Sequence, residues 1–191
     1  MSPELQVMLA PGPTYRRLLL RARPISWVAA LGRPAMSAVV LGTSLAVWAT
    51  GHVSGRLVLS LTVCWSFVIA IQVLAALALI VPVRRHVTLL TALDLLFVAH
   101  GPWSLWLIGS AVWVIMSSPI GRPARFHAAT GLVPAVWTAL MVFAFCRVVL
   151  ECDRRDATRR TLLHQGVIWS VTLGIFAFAV QLWPRLEGWL R

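Results

Sequence analysis

Residues 57–83 read LVLSLTVCWSFVIAIQVLAALALIVPV, an unbroken apolar run without a single charge. Its only strongly polar side chain is the amide of Gln72, and it stops abruptly at Arg84-Arg85-His86. About 20 such residues span the hydrocarbon of a bilayer as an α-helix, because only a helix satisfies its own backbone hydrogen bonds there. This stretch therefore predicts a transmembrane helix, and the rest of the chain is read outward from it.

Upstream, after the short turn Ser54-Gly55-Arg56, lies a second apolar run, AMSAVVLGTSLAVWATGHV at 35–53, with Trp48 toward its far end. Before it, PTYRRLLLRARPISWVAALGR at 13–33 mixes leucine and tryptophan with arginine around Pro24. That mixture reads either as an interfacial helix, with arginines in water and leucines in acyl chains, or as a plain juxtamembrane tail. Pro11, Gly12 and Pro13 interrupt the place where a signal-peptide core would sit, so a cleavable leader is not expected.

Downstream, residues 87–117 exceed one crossing and are interrupted by His100-Gly101-Pro102. Three paths fit: an interfacial helix leading into a span over 98–116, one tilted and kinked helix, or a re-entrant pair. The first keeps Asp94 near the headgroups, where an ionised carboxylate avoids a cost of at least ~2.5 kcal/mol. Pro, Gly and Arg make 118–130 a loop. Further spans follow at 131–150 and 163–183, separated by the charge-dense ECDRRDATRRTL of 151–162, and a tail covers 185–191. The expected fold is an all-α polytopic bundle of about five spans, with an N-terminal segment over 1–34 and a membrane domain over 35–184.

Composition agrees: 59% of residues are hydrophobic and 12% charged, about half the charged share of a soluble domain. The net charge of +11 comes from 17 arginines and no lysine. Twelve of these (Arg16, Arg17, Arg21, Arg23, Arg33, Arg84, Arg85, Arg147, Arg154, Arg155, Arg159, Arg160) fall on one face of a five-span layout. Five (Arg56, Arg122, Arg125, Arg185, Arg191) fall on the other. The positive-inside rule then places the N-terminus in the cytoplasm and the C-terminus on the opposite side. Because the arginines sit at span ends, anionic lipid explains them better than nucleic acid, which is not expected as a partner. The expected partners are the bilayer and other membrane proteins.

Motifs for chemistry are sparse. Cys64, Cys146 and Cys152 form no CxxC pair, so neither a disulfide framework nor a zinc site is indicated, and Cys64 reads as a small core residue. No GxSxG, P-loop or HExxH is present, so no catalytic residue and no metal site is named. Asp94 and His100 are candidate polar positions inside the membrane, but six residues of separation turn them about 240° apart on a helix. Gln72 reads as an interhelical hydrogen bond. His52, His86, His100, His127 and His164 raise haem ligation, with His52/His127 and His86/His164 as pairs at matching depth, all at span ends. No cofactor is named on that basis. Ten tryptophans suit an interfacial belt, and a cluster around a pigment, quinone or haem is the sharper alternative. Arg154, Arg155, Arg159 and Arg160 are candidate cytoplasmic docking or lipid contacts. Gly42-Thr43-Ser44 and Gly109-Ser110-Ala111 offer small-residue faces for close helix packing.

The order of parts resembles the Yip1 family: Pro13-Thr14-Tyr15-Arg16-Arg17 before five spans, Pro102 early in the third, and a charged loop at 151–162 before the last. The resemblance implies a polytopic protein of membrane organisation or traffic without a catalytic site, and it supplies no functional residue. The leading expectation is accordingly a non-enzymatic accessory or scaffold subunit. A membrane anchor of a redox complex holding haem or quinone, and a small transporter subunit using Asp94 and Gln72, are the alternatives.

Overall fold

A computed structural model of the chain describes residues 1–22, 25–83, 86–117 and 129–178. Among these residues all regular structure is helical: α1 (Pro3–Leu9), α2 (Pro11–Leu20), α3 (Trp27–Thr50), α4 (Gly55–Ile80), α5 (Leu89–Phe97), α6 (Gly101–Met116), α7 (Leu132–Val148) and α8 (Arg154–Ala177). The loop expected over 118–130 lies mostly outside the described residues. So do His127, Trp183, Trp189 and the end of the fifth expected span.

Local chemistry sets the helix ends. Ser26 caps α3 by accepting from the Ala29 amide at 3.3 Å, and Gly51, at φ 79°, ends it in the left-handed region that glycine tolerates. Helix α3 thus begins at Trp27 and runs through Pro34, eight residues before the expected start at Ala35. Thr88 caps α5 and Asp153 caps α8, the latter accepting from the Asp156 amide at 2.7 Å. Between α5 and α6 the chain tightens into a 3-10 turn at Val98–His100, where the Gly101 amide bonds the Val98 carbonyl. Pro102 accounts for the break, since it has no N–H to offer the α-helical ladder. Leu89–Met116 is therefore one 28-residue run with a break at its middle.

Three helical runs are long and apolar enough to cross a membrane: Trp27–Thr50, Gly55–Ile80 and Leu89–Met116. In the most apolar stretches of the first two, only 22% and 28% of residues are buried inside the protein, so their apolar surface faces outward, toward lipid. Helix α7 is apolar but has 17 residues, about 25 Å of rise. In α8 the first turns carry Arg154, Arg155, Asp156, Arg159 and Arg160, which leaves a shorter apolar remainder. Five helices of the expected sequence positions are present, and three of the runs meet the full length and composition of a span.

Packing divides the molecule into two layers. At one end a dense core joins Val7 and Met8 of α1, Tyr15 of α2, Leu79 and Ile80 of α4, Leu93 and Leu96 of α5, Phe145 and Cys146 of α7, and Ala157 of α8. Tyr15 meets Phe145 edge-on, with ring centroids 5.9 Å apart. The N-terminal helices are thus part of the core rather than a free tail. Helix α5 is mostly buried in protein, with Leu93 and Leu96 fully enclosed. At the other end α3, α4, α8, α7 and α6 touch in that order and α6 returns to α3, closing a ring. Gly42 of α3 lets α4 approach closely: a β-carbon there would lie 2.6 Å from the Thr62 amide nitrogen. Gly109, by contrast, faces open space.

Candidate functional site

The ring of helices encloses a cavity of about 680 Å³, within the range of small-molecule sites. Its wall is aromatic. Trp48, Trp106, Trp103 and Trp169 form a chain of ring contacts at centroid distances of 5.6, 5.8 and 5.7 Å, and Trp65 lines the cavity as well. Trp106 is held by its indole N–H, which donates to the Thr130 hydroxyl at 3.2 Å. Half of the ten tryptophans of the sequence therefore surround one space.

Polar side chains from four elements reach the same space: Gln72 from α4, His100 from the 3-10 turn, Thr138 from α7, and His164 with Thr172 from α8. His100 is 6%, Thr138 3% and His164 5% exposed. Among the described residues, Gln72 Oε1, His100 Nδ1, Thr138 Oγ1, Thr172 Oγ1 and both ring nitrogens of His164 have no hydrogen-bond partner. The His100 ring stacks on Phe97 at 4.6 Å and 16°. An unmet buried polar group costs about 1–3 kcal/mol, and native proteins rarely keep several in one place without a use for them. The 3-10 break that Pro102 forces is what sets His100 at the cavity, directly after the buried helix α5.

The expected pair His86 and His164 is not brought together, and the pair His52 and His127 lies partly outside the described residues. His86 is at the surface, 4.0 Å from the exposed Glu151, and His52 bonds the Thr50 carbonyl at 3.1 Å. His164 instead meets the same cavity as His100. Gln72 makes no interhelical bond among the described residues and lines the cavity. Asp94 stands apart from it. The Arg33 guanidinium donates to Asp94 at 2.7 Å and also pairs with Glu4, so one arginine ties α3 to α5 and α1. Asp94 and His100 are not brought together.

The four candidate arginines of the charged run split into two pairs. Arg159 and Arg160 are tied to Asp156 at 2.9 and 2.6 Å, and the Arg160 guanidinium holds that carboxyl below the usual carboxylate range. Arg154 and Arg155 line a shallow surface groove with Asp153 and Thr158 and are unpaired among the described residues. Cys64 is exposed on α4 rather than packed in a core, while Cys146 and Cys152 are buried, all three as free thiols. Burial pushes the Cys152 thiol up, which leaves it protonated and unreactive at neutral pH. Among the described residues no group of three or more His, Cys, Asp or Glu is placed to hold a metal ion.

What sequence reasoning missed was the convergence of His100, His164, Gln72 and Thr138. The signal available was the depth of each along its helix, and that depth depended on helix starts. No protein-family model, curated protein or solved structure matches the chain.

Proposed function

We propose that this chain is a five-span membrane protein, with its N-terminus in the cytoplasm, that holds a lipid-soluble small molecule in the cavity between its helices. The observation behind it is the set of buried, unpartnered polar atoms of Gln72, His100, Thr138 and His164 on one tryptophan-walled space. A structural core of this size would be filled with apolar side chains at native density. A space with an aromatic wall and a few convergent polar groups has the make-up of a ligand site. The cavity reaches the outer surface at Leu132 and Trp169, 67% and 38% exposed, so a molecule dissolved in the bilayer has a way in.

The five-span layout is supported by the shared core: Val7 and Tyr15 pack with Ile80, Cys146, Cys152 and Ala157, which gathers the N-terminus, the end of α4 and the α7–α8 junction at one end. The Yip1-like order of parts and the accessory role in a membrane complex belong to the same proposal, as the setting in which the bound molecule is used. The transporter reading loses its main residue, because Asp94 is engaged by Arg33 away from the cavity.

The test is to purify the full chain from its native membrane in a mild detergent, extract it with organic solvent, and analyse the extract by mass spectrometry. A lipid-soluble compound present at about one per chain, and depleted in His164→Leu, is the expected result. An extract containing only the phospholipids of the surrounding micelle would refute the proposal.

A further inference from the structure

The cavity also restricts what kind of molecule it can take, and this step rests on the ligand-holding reading just given. Among the described residues no Arg, Lys, Asp or Glu lines it. A phosphate or carboxylate head group would be buried there without a counter-charge, and burying an unpaired charge is far costlier than burying a neutral polar group. Fatty acids, phospholipids and the carboxylate-bearing porphyrins are disfavoured on that ground. The ligand is neutral.

The polar atoms sort the neutral candidates further. A neutral imidazole has one N–H donor and one bare nitrogen acceptor, and a threonine hydroxyl can donate to a ligand oxygen. His100, His164, Thr138 and Thr172 therefore offer several donors from three elements around one space. The amide of Gln72 adds more once its rotation is allowed to follow the ligand. A sterol-like molecule with one hydroxyl would meet one of these groups and leave the rest unmet. A hydrocarbon pigment would meet none. A planar ring with two carbonyl oxygens accepts from two of these groups at once, and its flat face can lie against the indole wall that Trp103 and Trp169 form in contact with each other.

We propose that the cavity is a quinone site, in which His100 and His164 are the binding residues that donate to the ring carbonyls. Thr138 and Gln72 complete the polar ring, and the tryptophans stack on the flat face. The isoprenoid tail leaves past Leu132 and Trp169 into the lipid, where no specific contact is needed.

The test uses the full chain in mild detergent, titrated with decylubiquinone and, separately, menadione, while intrinsic tryptophan fluorescence is followed. Quinones quench indole emission, and five of the ten tryptophans line the cavity. Saturable quenching is expected, weakened at least tenfold in His164→Leu and largely restored in His164→Gln, which keeps an N–H donor. A native-membrane extract containing a quinone supports the same conclusion and needs no variant to fold. Quenching that rises linearly, equally in both proteins, together with a different neutral lipid in the extract, overturns the quinone assignment and leaves the ligand cavity standing. A Soret band in the purified protein overturns it in favour of haem. No bound molecule and no saturable binding of either quinone sinks both this inference and the reading beneath it.

Discussion

Arg33 and Asp94, 61 residues apart, meet at 2.7 Å, and the same guanidinium pairs with Glu4. The three side chains are 28%, 26% and 35% exposed, so water screens the group only in part. One cation thus sits between two carboxylates and pins α1 and α5 to the start of α3. Replacing Arg33 by Ala leaves two partly buried anions facing each other, and a loss of about 1–3 kcal/mol is expected. Asp94→Asn costs less, roughly 1 kcal/mol, because Arg33 retains Glu4. Thermal unfolding in detergent checks the order, and the double variant should lose less than the sum of the singles, since the two residues share one interaction.

Gly42 and Gly109 give a paired test of helix approach. A methyl group at Gly42 would press on the Thr62 backbone, which cannot rotate away, so Gly42→Ala forces α3 and α4 apart and should destabilise by about 1–3 kcal/mol. Gly109 has open space around its α-carbon, and Gly109→Ala should stabilise by roughly 0.5–1 kcal/mol through the lower backbone entropy of alanine. Opposite shifts in the unfolding temperature are the expected result. Equal shifts would mean that the α3–α4 contact is looser than described.

How much of this was legible in the sequence follows from what apolar patterning can resolve. The run 57–83 and its neighbours predicted membrane helices because hydropathy and length suffice for that, and α3, α4 and the 89–116 run answer to it. Depth was the harder quantity. His164 read as the first residue or two of a span beginning at 163, but Asp153 starts α8 at Arg154, which sets His164 about 15 Å along the helix. His100 read as the start of a span at 98, yet α5 precedes it without a loop, so it lies midway along a 28-residue run. For His164, charged residues in the first turns hid helix that protein packing, not lipid, stabilises; for His100, the helix before it was expected at the interface, whereas protein buries it as α5. The packing of the N-terminal segment was hidden as well, since its buried Val7 and Tyr15 are matched by partners in α5 and α7 that no local pattern reveals.

The arginine asymmetry gives a topology prediction. Alkaline phosphatase fused after residue 54 or at the C-terminus should be active, and fused after residue 86 or 152 it should be inactive. The fusion at 152 decides between layouts. If only the three long runs cross, residue 152 lies outside and the enzyme is active there. If five cross, it lies with the N-terminus. The packing of Cys152 and Ala157 against the core that holds Val7 and Tyr15 favours the second outcome.

His164 separates a structural role from a binding role by the sign of one stability change. Its ring is 5% exposed, and neither nitrogen has a partner among the described residues. In protein stripped of ligand, leucine of similar bulk removes two unmet polar atoms, so His164→Leu should stabilise by about 1–3 kcal/mol. In protein loaded with its ligand that advantage shrinks. Binding stabilises the native chain by RT ln(1 + [L]/Kd), about 2.7 kcal/mol at a hundredfold excess over Kd, and a variant that binds tenfold more weakly gains only about 1.4 kcal/mol at the same ligand concentration. Unfolding followed by tryptophan fluorescence, with and without saturating ligand, should therefore show the variant above the parent when stripped and its lead cut by about 1.3 kcal/mol when loaded. A histidine kept for packing alone would give a variant destabilised by the same amount in both conditions. A lead that falls on loading is the signature of a residue whose unmet polar atoms lower the stability of the empty protein because they serve the occupied one.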